Sequence, residues 1–96
     1  MLTGKERSYL RGKANEMNPL FQIGKDGISE NLVKQVEDAL EARELIKLRT
    51  LNNSMYNSQE AAYELAEQTN SDVVQIIGNV FVLYRKNEEK NSYQLN

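Results

Sequence analysis

The sequence predicts an α/β fold of the α+β type, a single two-layer domain in which helices lie on a sheet, and three observations predict it. Apolar residues recur at helical spacing in three segments and form four short strand-like runs. These segments follow the order α-β-α-β-α-β-β, so crossover connections lay helices on a sheet that a final hairpin completes. The chain has 96 residues, 40% of them hydrophobic, enough for one two-layer core and too few for a second.

Thr3-Gly4-Lys5-Glu6 has the T-x-x-E spacing of a capping box and predicts a helix to Ala14 or Asn15, with Leu10, Ala14 and Met17 turned inward. Pro19 bars its continuation, and Leu20 to Ile23 reads as a short strand that Gly24 ends. Ser29 caps a second helix, whose Leu32, Val33, Val36, Ala39 and Leu40 form one apolar stripe about 100° wide. Leu45 to Arg49 is a second strand. Its alternation puts Ile46 and Leu48 on one side and Lys47 and Arg49 on the other. A polar loop through Asn52, Asn53, Ser54 and Asn57 precedes a third helix capped by Ser58, with Ala62, Leu65 and Ala66 inward and Glu60, Glu64 and Glu67 outward. Val73 to Ile77 and Val80 to Tyr84 are strands around Gly78-Asn79, a two-residue composition typical of a tight hairpin. Residues 1–86 are expected to be the folded domain and residues 87–96 a flexible tail.

The chain has no cysteine and no histidine, which excludes disulfides, thiol catalysis and Cys-based zinc sites and removes the commonest metal ligand and general base. Asp26, Glu30 and Asp72 have no spacing that predicts a metal cluster, so no catalytic residue, metal or cofactor is expected. No apolar run reaches the roughly twenty residues of a membrane span, and a cytoplasmic monomer is expected. Net charge is −2, mildly unfavourable for a polyanion partner, yet the charges segregate. Residues 1–25 carry five cations (Lys5, Arg7, Arg11, Lys13 and Lys25) against two carboxylates, whereas Asp26 to Asp72 carry four against ten. One basic and one acidic face would orient the protein on a polyanion.

Ile23-Gly24-Lys25-Asp26-Gly27-Ile28 sets two glycines around a lysine between a strand and a helix. Glycine lacks the Cβ that would hold a phosphate chain away, reaches positive φ cheaply, and here precedes helix-opening N–H groups that favour anions. The same residues also suit an ordinary strand-to-helix turn. A KH domain fits less well, because there the G-x-x-G loop joins two helices, whereas Phe21 to Ile23 reads as a strand.

The Gly24-Lys25-Asp26-Gly27 turn, the segment Glu44 to Arg49, and the run Val74 to Arg85 with its I-G-x-x-x-x-L-Y-R ending (Ile77, Gly78, Leu83, Tyr84, Arg85) together resemble the CRM domain of chloroplast RNA splicing and ribosome maturation proteins, in its stand-alone bacterial YhbY type. The resemblance covers residues 2 to about 86. It implies a four-stranded mixed sheet with helices packed on it, like the C-terminal domain of a translation initiation factor. It also implies RNA binding, in bacteria during ribosome maturation on large-subunit precursors and in organelles during intron splicing. The family's G-x-x-G loop falls on Gly24, Lys25, Asp26 and Gly27, its basic first helix on the segment with Lys5, Arg11 and Lys13, and its terminal arginine on Arg85. Asp26 and Asn79 depart from the pattern, standing where neutral or basic residues are frequent.

The leading expectation is a non-catalytic RNA-binding protein that grips the backbone through the Gly24–Gly27 loop and nearby cations. On the first helix, 100° per residue puts Lys5, Tyr9 and Lys13 on one flank and Arg7 and Arg11 on the other, so one flank should face RNA. Lys47 and Arg49 either extend the basic surface or pair with Glu41 or Glu44. Tyr84 either stacks on a base, with Arg85 on a phosphate, or belongs to the core. The alternative is an adaptor that docks on basic ribosomal proteins through Glu60, Glu64 and Glu67.

Overall fold

The computed structural model describes residues 2–93. Both halves of the Thr3 capping box form: the Thr3 hydroxyl accepts from the Glu6 amide at 3.1 Å, and the Glu6 carboxylate accepts from the Thr3 amide at 2.9 Å. They open α1 (Gly4–Ala14), after which β1 (Phe21–Ile23), α2 (Glu30–Arg43), β2 (Leu45–Thr50), α3 (Ser58–Thr69), β3 (Asp72–Ile77) and β4 (Val80–Tyr84) follow in the expected order. Leu20 stands just before β1 and donates its N–H to the Lys47 carbonyl at 2.8 Å. One cap moves by a residue. Asn57, not Ser58, caps α3: its side chain takes the Glu60 amide at 2.8 Å and Glu60 returns a bond to the Asn57 amide at 2.9 Å. Asn57 has a glutamate three residues on and Ser58 has Ala61, so only Asn57 closes a reciprocal box.

The sheet order is β1-β2-β4-β3, with β1 parallel to β2 and β4 antiparallel to both its neighbours. β1-α2-β2 is thus a parallel crossover, and α3 carries the chain past β4's place to the far edge. Gly78 takes φ 58 at the first position of the β3–β4 turn, where a two-residue hairpin requires a left-handed residue. On one face Ile46, Leu48, Phe81 and Leu83 meet Val36 and Leu40 of α2 and Ala61, Ala62 and Leu65 of α3. On the other, Leu45, Val74, Val82 and Tyr84 pack on Leu10 and Ala14 of α1. The main core is therefore a two-layer sandwich, and α1 adds a partial layer on the opposite side. Each large side chain buried in these clusters contributes roughly 1.5–3 kcal/mol.

A single residue, Glu44 at φ 66, turns the chain from α2 into β2. Its side chain is 0% exposed, and its carboxylate accepts from the backbone amides of Ser92 at 2.8 Å and Asn87 at 3.2 Å. Tyr93 packs edge-on against Tyr84, with ring centroids 6.3 Å apart. Asn87, Ser92 and Tyr93, in the segment expected to form a flexible tail, thus make contacts with the domain; residues 94–96 and Met1 lie outside the described residues. Burial opposes ionisation of Glu44, but the Ser92 and Asn87 amides, the Ser92 hydroxyl and the Lys90 charge outweigh it and hold the carboxyl below its usual range. A folded-state pKa lower than the unfolded one means that this latch is complete above the ordinary value of 4.5 and is lost as pH falls below it. The amide resonances of Asn87 and Ser92 are expected to titrate together as pH falls below 4.5, and two resonances that stay in place on acidification would contradict the latch.

Candidate nucleic-acid interface

β1 ends beside Thr50 of β2, and the chain then folds over itself: the Gly27 amide donates to the Gly24 carbonyl at 3.0 Å, which closes a four-residue turn. Lys25 and Asp26 stand exposed at its apex, and Ser29 then caps α2 through the Leu32 amide at 3.1 Å. The two glycines differ in what they do. Gly27 has φ 67, and a Cβ there would lie 3.2 Å from the Tyr56 ring. Gly24 has no left-handed φ, and its Cβ would meet Leu51 Cδ1 at 3.5 Å and Asn53 Oδ1 at 3.6 Å, ordinary contact distances. Gly27→Ala is expected to destabilise the fold by about 1–2 kcal/mol and Gly24→Ala by a few tenths, measured by thermal unfolding. Equal losses would contradict the assignment.

The same turn borders a shallow groove of 230 Å³ with Gln22, Asn31 and Gln35 on its walls. Amide side chains, the Lys25 ammonium and the apex N–H groups make this a surface suited to phosphate and ribose oxygens. No ion pair holds Lys25 among the described residues. The tip thus projects outward with its cation free.

Register continues the surface across the sheet. Gln22 pairs with Arg49, which puts both on the α1 side, and Arg49 and Lys47 pair with Val80 and Val82 of β4. The pairing of Lys47 or Arg49 with Glu41 or Glu44 does not form. Glu41 receives Arg85 and Asn87, and Glu44 receives the two tail amides. The end of α1 reaches the same region, where Asn15 and Lys47 line a groove with Ile77 and Val80.

Arg7 decides the orientation of α1. Its guanidinium donates to the Val73 carbonyl of β3, so the Arg7 and Arg11 flank lies over that edge and the opposite flank turns toward β2. That flank carries Lys5, Tyr9 and Lys13, with the Lys13 ammonium 5.5 Å from the Tyr9 ring centroid. The fold therefore puts Lys47 and Arg49 on the sheet face that α1 covers, with Lys13 on the α1 flank turned toward β2, while Lys25 stands at the turn beside the start of α2. Arg7 and Arg11 lie on the other flank, and Lys5 stands at the far end of α1.

Arg85 does not belong to this surface. Its guanidinium donates to Glu37 Oε2 at 3.1 Å, Glu41 Oε2 at 3.2 Å, and the carbonyls of Thr69 at 2.9 Å and Glu37 at 3.3 Å. It clamps the ends of α2 and α3 on the face away from α1, and a phosphate contact would have to break this set. Tyr84 is buried in the core, and burial, followed by the charges of Glu44, Glu6 and Asp72, pushes its phenol up to about 12. It is a neutral core residue, not a stacking platform. Residues that sequence reasoning left out of the site are Gln22, legible only from strand register, and Asn53 and Tyr56, which support the turn from a loop far along the chain.

Among the described residues, no three acidic side chains gather to hold a metal ion, and no helix is long and apolar enough to cross a membrane. The sequence model of the CRS1 / YhbY (CRM) domain matches residues 2–85. The chain is 44% identical over 95 residues to the "Probable RNA-binding protein YqeI" of Bacillus subtilis, covering 99% of each chain. It is 33% identical over 88 residues to an "RNA-binding protein" of Haemophilus influenzae, covering 92% of this chain and 89% of that one. Its fold matches the solution structure of a Staphylococcus aureus protein, with 48% identity, a TM-score of 0.69 and 91% of each chain covered. The match across nearly the whole chain, together with the fold, places this protein in the CRS1/YhbY (CRM) domain family, and the bacterial relatives above are named as RNA-binding proteins and not as enzymes.

Proposed function

We propose that the protein is a non-catalytic RNA-binding module that grips the backbone of ribosomal RNA in precursors of the large ribosomal subunit. The observation that carries this reading is the exposed, unpaired Lys25 at the apex of the Gly24–Gly27 turn, together with Lys47 and Arg49 on the sheet face that α1 covers and Lys13 on α1. Relatives named as RNA-binding proteins support the RNA part. The large-subunit part rests on the family resemblance. With three to five phosphates neutralised, log affinity for single-stranded RNA should fall against log salt with a slope of roughly −2 to −3.5. A flat dependence from low to moderate salt would refute the backbone grip. Loss of co-sedimentation with large-subunit precursors in a Lys25→Asp variant would support the ribosomal assignment, and unchanged co-sedimentation would refute it.

One observation favours a second reading, an adaptor for basic proteins. Tyr63 is 57% exposed on α3 beside the outward Glu60, Glu64 and Glu67. A protein pull-down that survives nuclease treatment and is lost in Tyr63→Ala would establish it.

A further inference from the structure

β1, β2 and the β4–β3 hairpin end side by side, so the loop over residues 51–57 stands between the Gly24–Gly27 turn and Gly78-Asn79. On one side it supports the turn through Leu51, Asn53 and Tyr56. On the other it walls an open, mostly polar groove of 510 Å³. The loop is fixed by a bond at its root and by two of its own. The Thr50 amide donates to the Asn79 carbonyl at 2.7 Å, the Ser54 amide to the Leu51 carbonyl at 3.1 Å, and the Tyr56 amide to Ser54 Oγ at 3.0 Å.

The chemistry of this groove differs from that of the turn beside it. Neither Lys nor Arg lines it, and one carboxylate, Glu60, does, so it disfavours phosphate. Its walls offer instead the Asn52 and Asn79 carboxamides and the Met55 side chain, 82% exposed. Thr50, 5% exposed, lines it as well, and its hydroxyl is buried without a hydrogen-bond partner among the described residues. Carboxamides and a polarizable thioether around a cation-free groove suit the edge and face of a nucleobase.

We infer that this groove binds an unpaired base of the RNA whose backbone crosses the Gly24–Gly27 turn, giving the protein base preference in addition to a backbone grip. The inference rests on the RNA-binding reading above. β1 and β4 lie two strand spacings apart, about 10 Å, a span that a short single-stranded segment bridges. Duplex RNA presents no splayed base and is excluded from the groove.

The test compares wild type, Lys25→Ala and the double variant Asn52→Ala/Met55→Ala by fluorescence anisotropy on labelled single-stranded A, C and U homopolymers across a salt series. The double variant carries only exposed substitutions. It is expected to lose about fivefold or more in affinity for the best homopolymer, to bind all three alike, and to keep the wild-type salt slope. Lys25→Ala is expected to make the slope shallower by roughly 0.7 and to keep the homopolymer ranking. Wild-type affinity and ranking in the double variant would overturn the base site while leaving the backbone grip standing, and so would a loss accompanied by a shallower slope. A wild-type protein that binds none of the three would overturn both readings.

Discussion

Replacing Lys25 with aspartate is expected to weaken binding to single-stranded RNA by about tenfold to a hundredfold without a measurable change in melting temperature. The size follows from charge-assisted hydrogen bonds, whose loss together with a new repulsion at the same point corresponds to about one to two powers of ten in affinity. The neutrality toward folding follows from position. Lys25 is exposed at the apex of a turn that is closed by the Gly27 amide and supported by the Tyr56 ring, and neither involves its side chain. Anisotropy titration and thermal denaturation of the same preparation check both halves. A variant that binds like wild type would remove the turn from the interface.

Arg85→Ala is expected to do the opposite: to lower stability by about 2 kcal/mol, roughly 10 °C in a domain of this size, and to leave RNA affinity within about twofold. The side chain is 21% exposed and serves two carboxylates and two carbonyls at the ends of α2 and α3. Its pairing with Glu41, 70% exposed, contributes little. The stability resides in Glu37 and in the Thr69 carbonyl, which lose a charged donor. Calorimetry and the same titration decide it, and a variant that melts like wild type yet loses RNA would return Arg85 to the interface.

These two arginine and lysine positions also mark how far the sequence can be read. Lys25 is legible because the strand, two glycines and capped helix that form its turn lie within a few residues, even though Asn53 and Tyr56 support that turn from a distant loop. The helices and strands are legible for the same reason, since the Thr3 and Ser29 caps, the stripe on α2 and the alternation of Lys47 with Ile46 and Leu48 are short-range patterns. Arg85 looks equally basic in the sequence, but its partners Glu37 and Glu41 stand more than forty residues away, and only the sheet order brings them together. Glu44 was hidden for a related reason. A carboxylate in an acidic stretch reads as a solvated charge until the tail's amides are found folded onto it. The flank of α1 that turns toward β2 was likewise set by a tertiary bond, from Arg7 to the Val73 carbonyl.

The most direct test of the account is a residue-resolved NMR titration of the wild-type protein with a single-stranded RNA. The predicted result is a set of shifted amides at Gly24 to Gly27, Lys13, Lys47 and Arg49, with Arg85 and the outward face of α3 unmoved. Shifts confined to α3 around Glu60, Tyr63 and Glu64, with the Gly24–Gly27 turn silent, would contradict it.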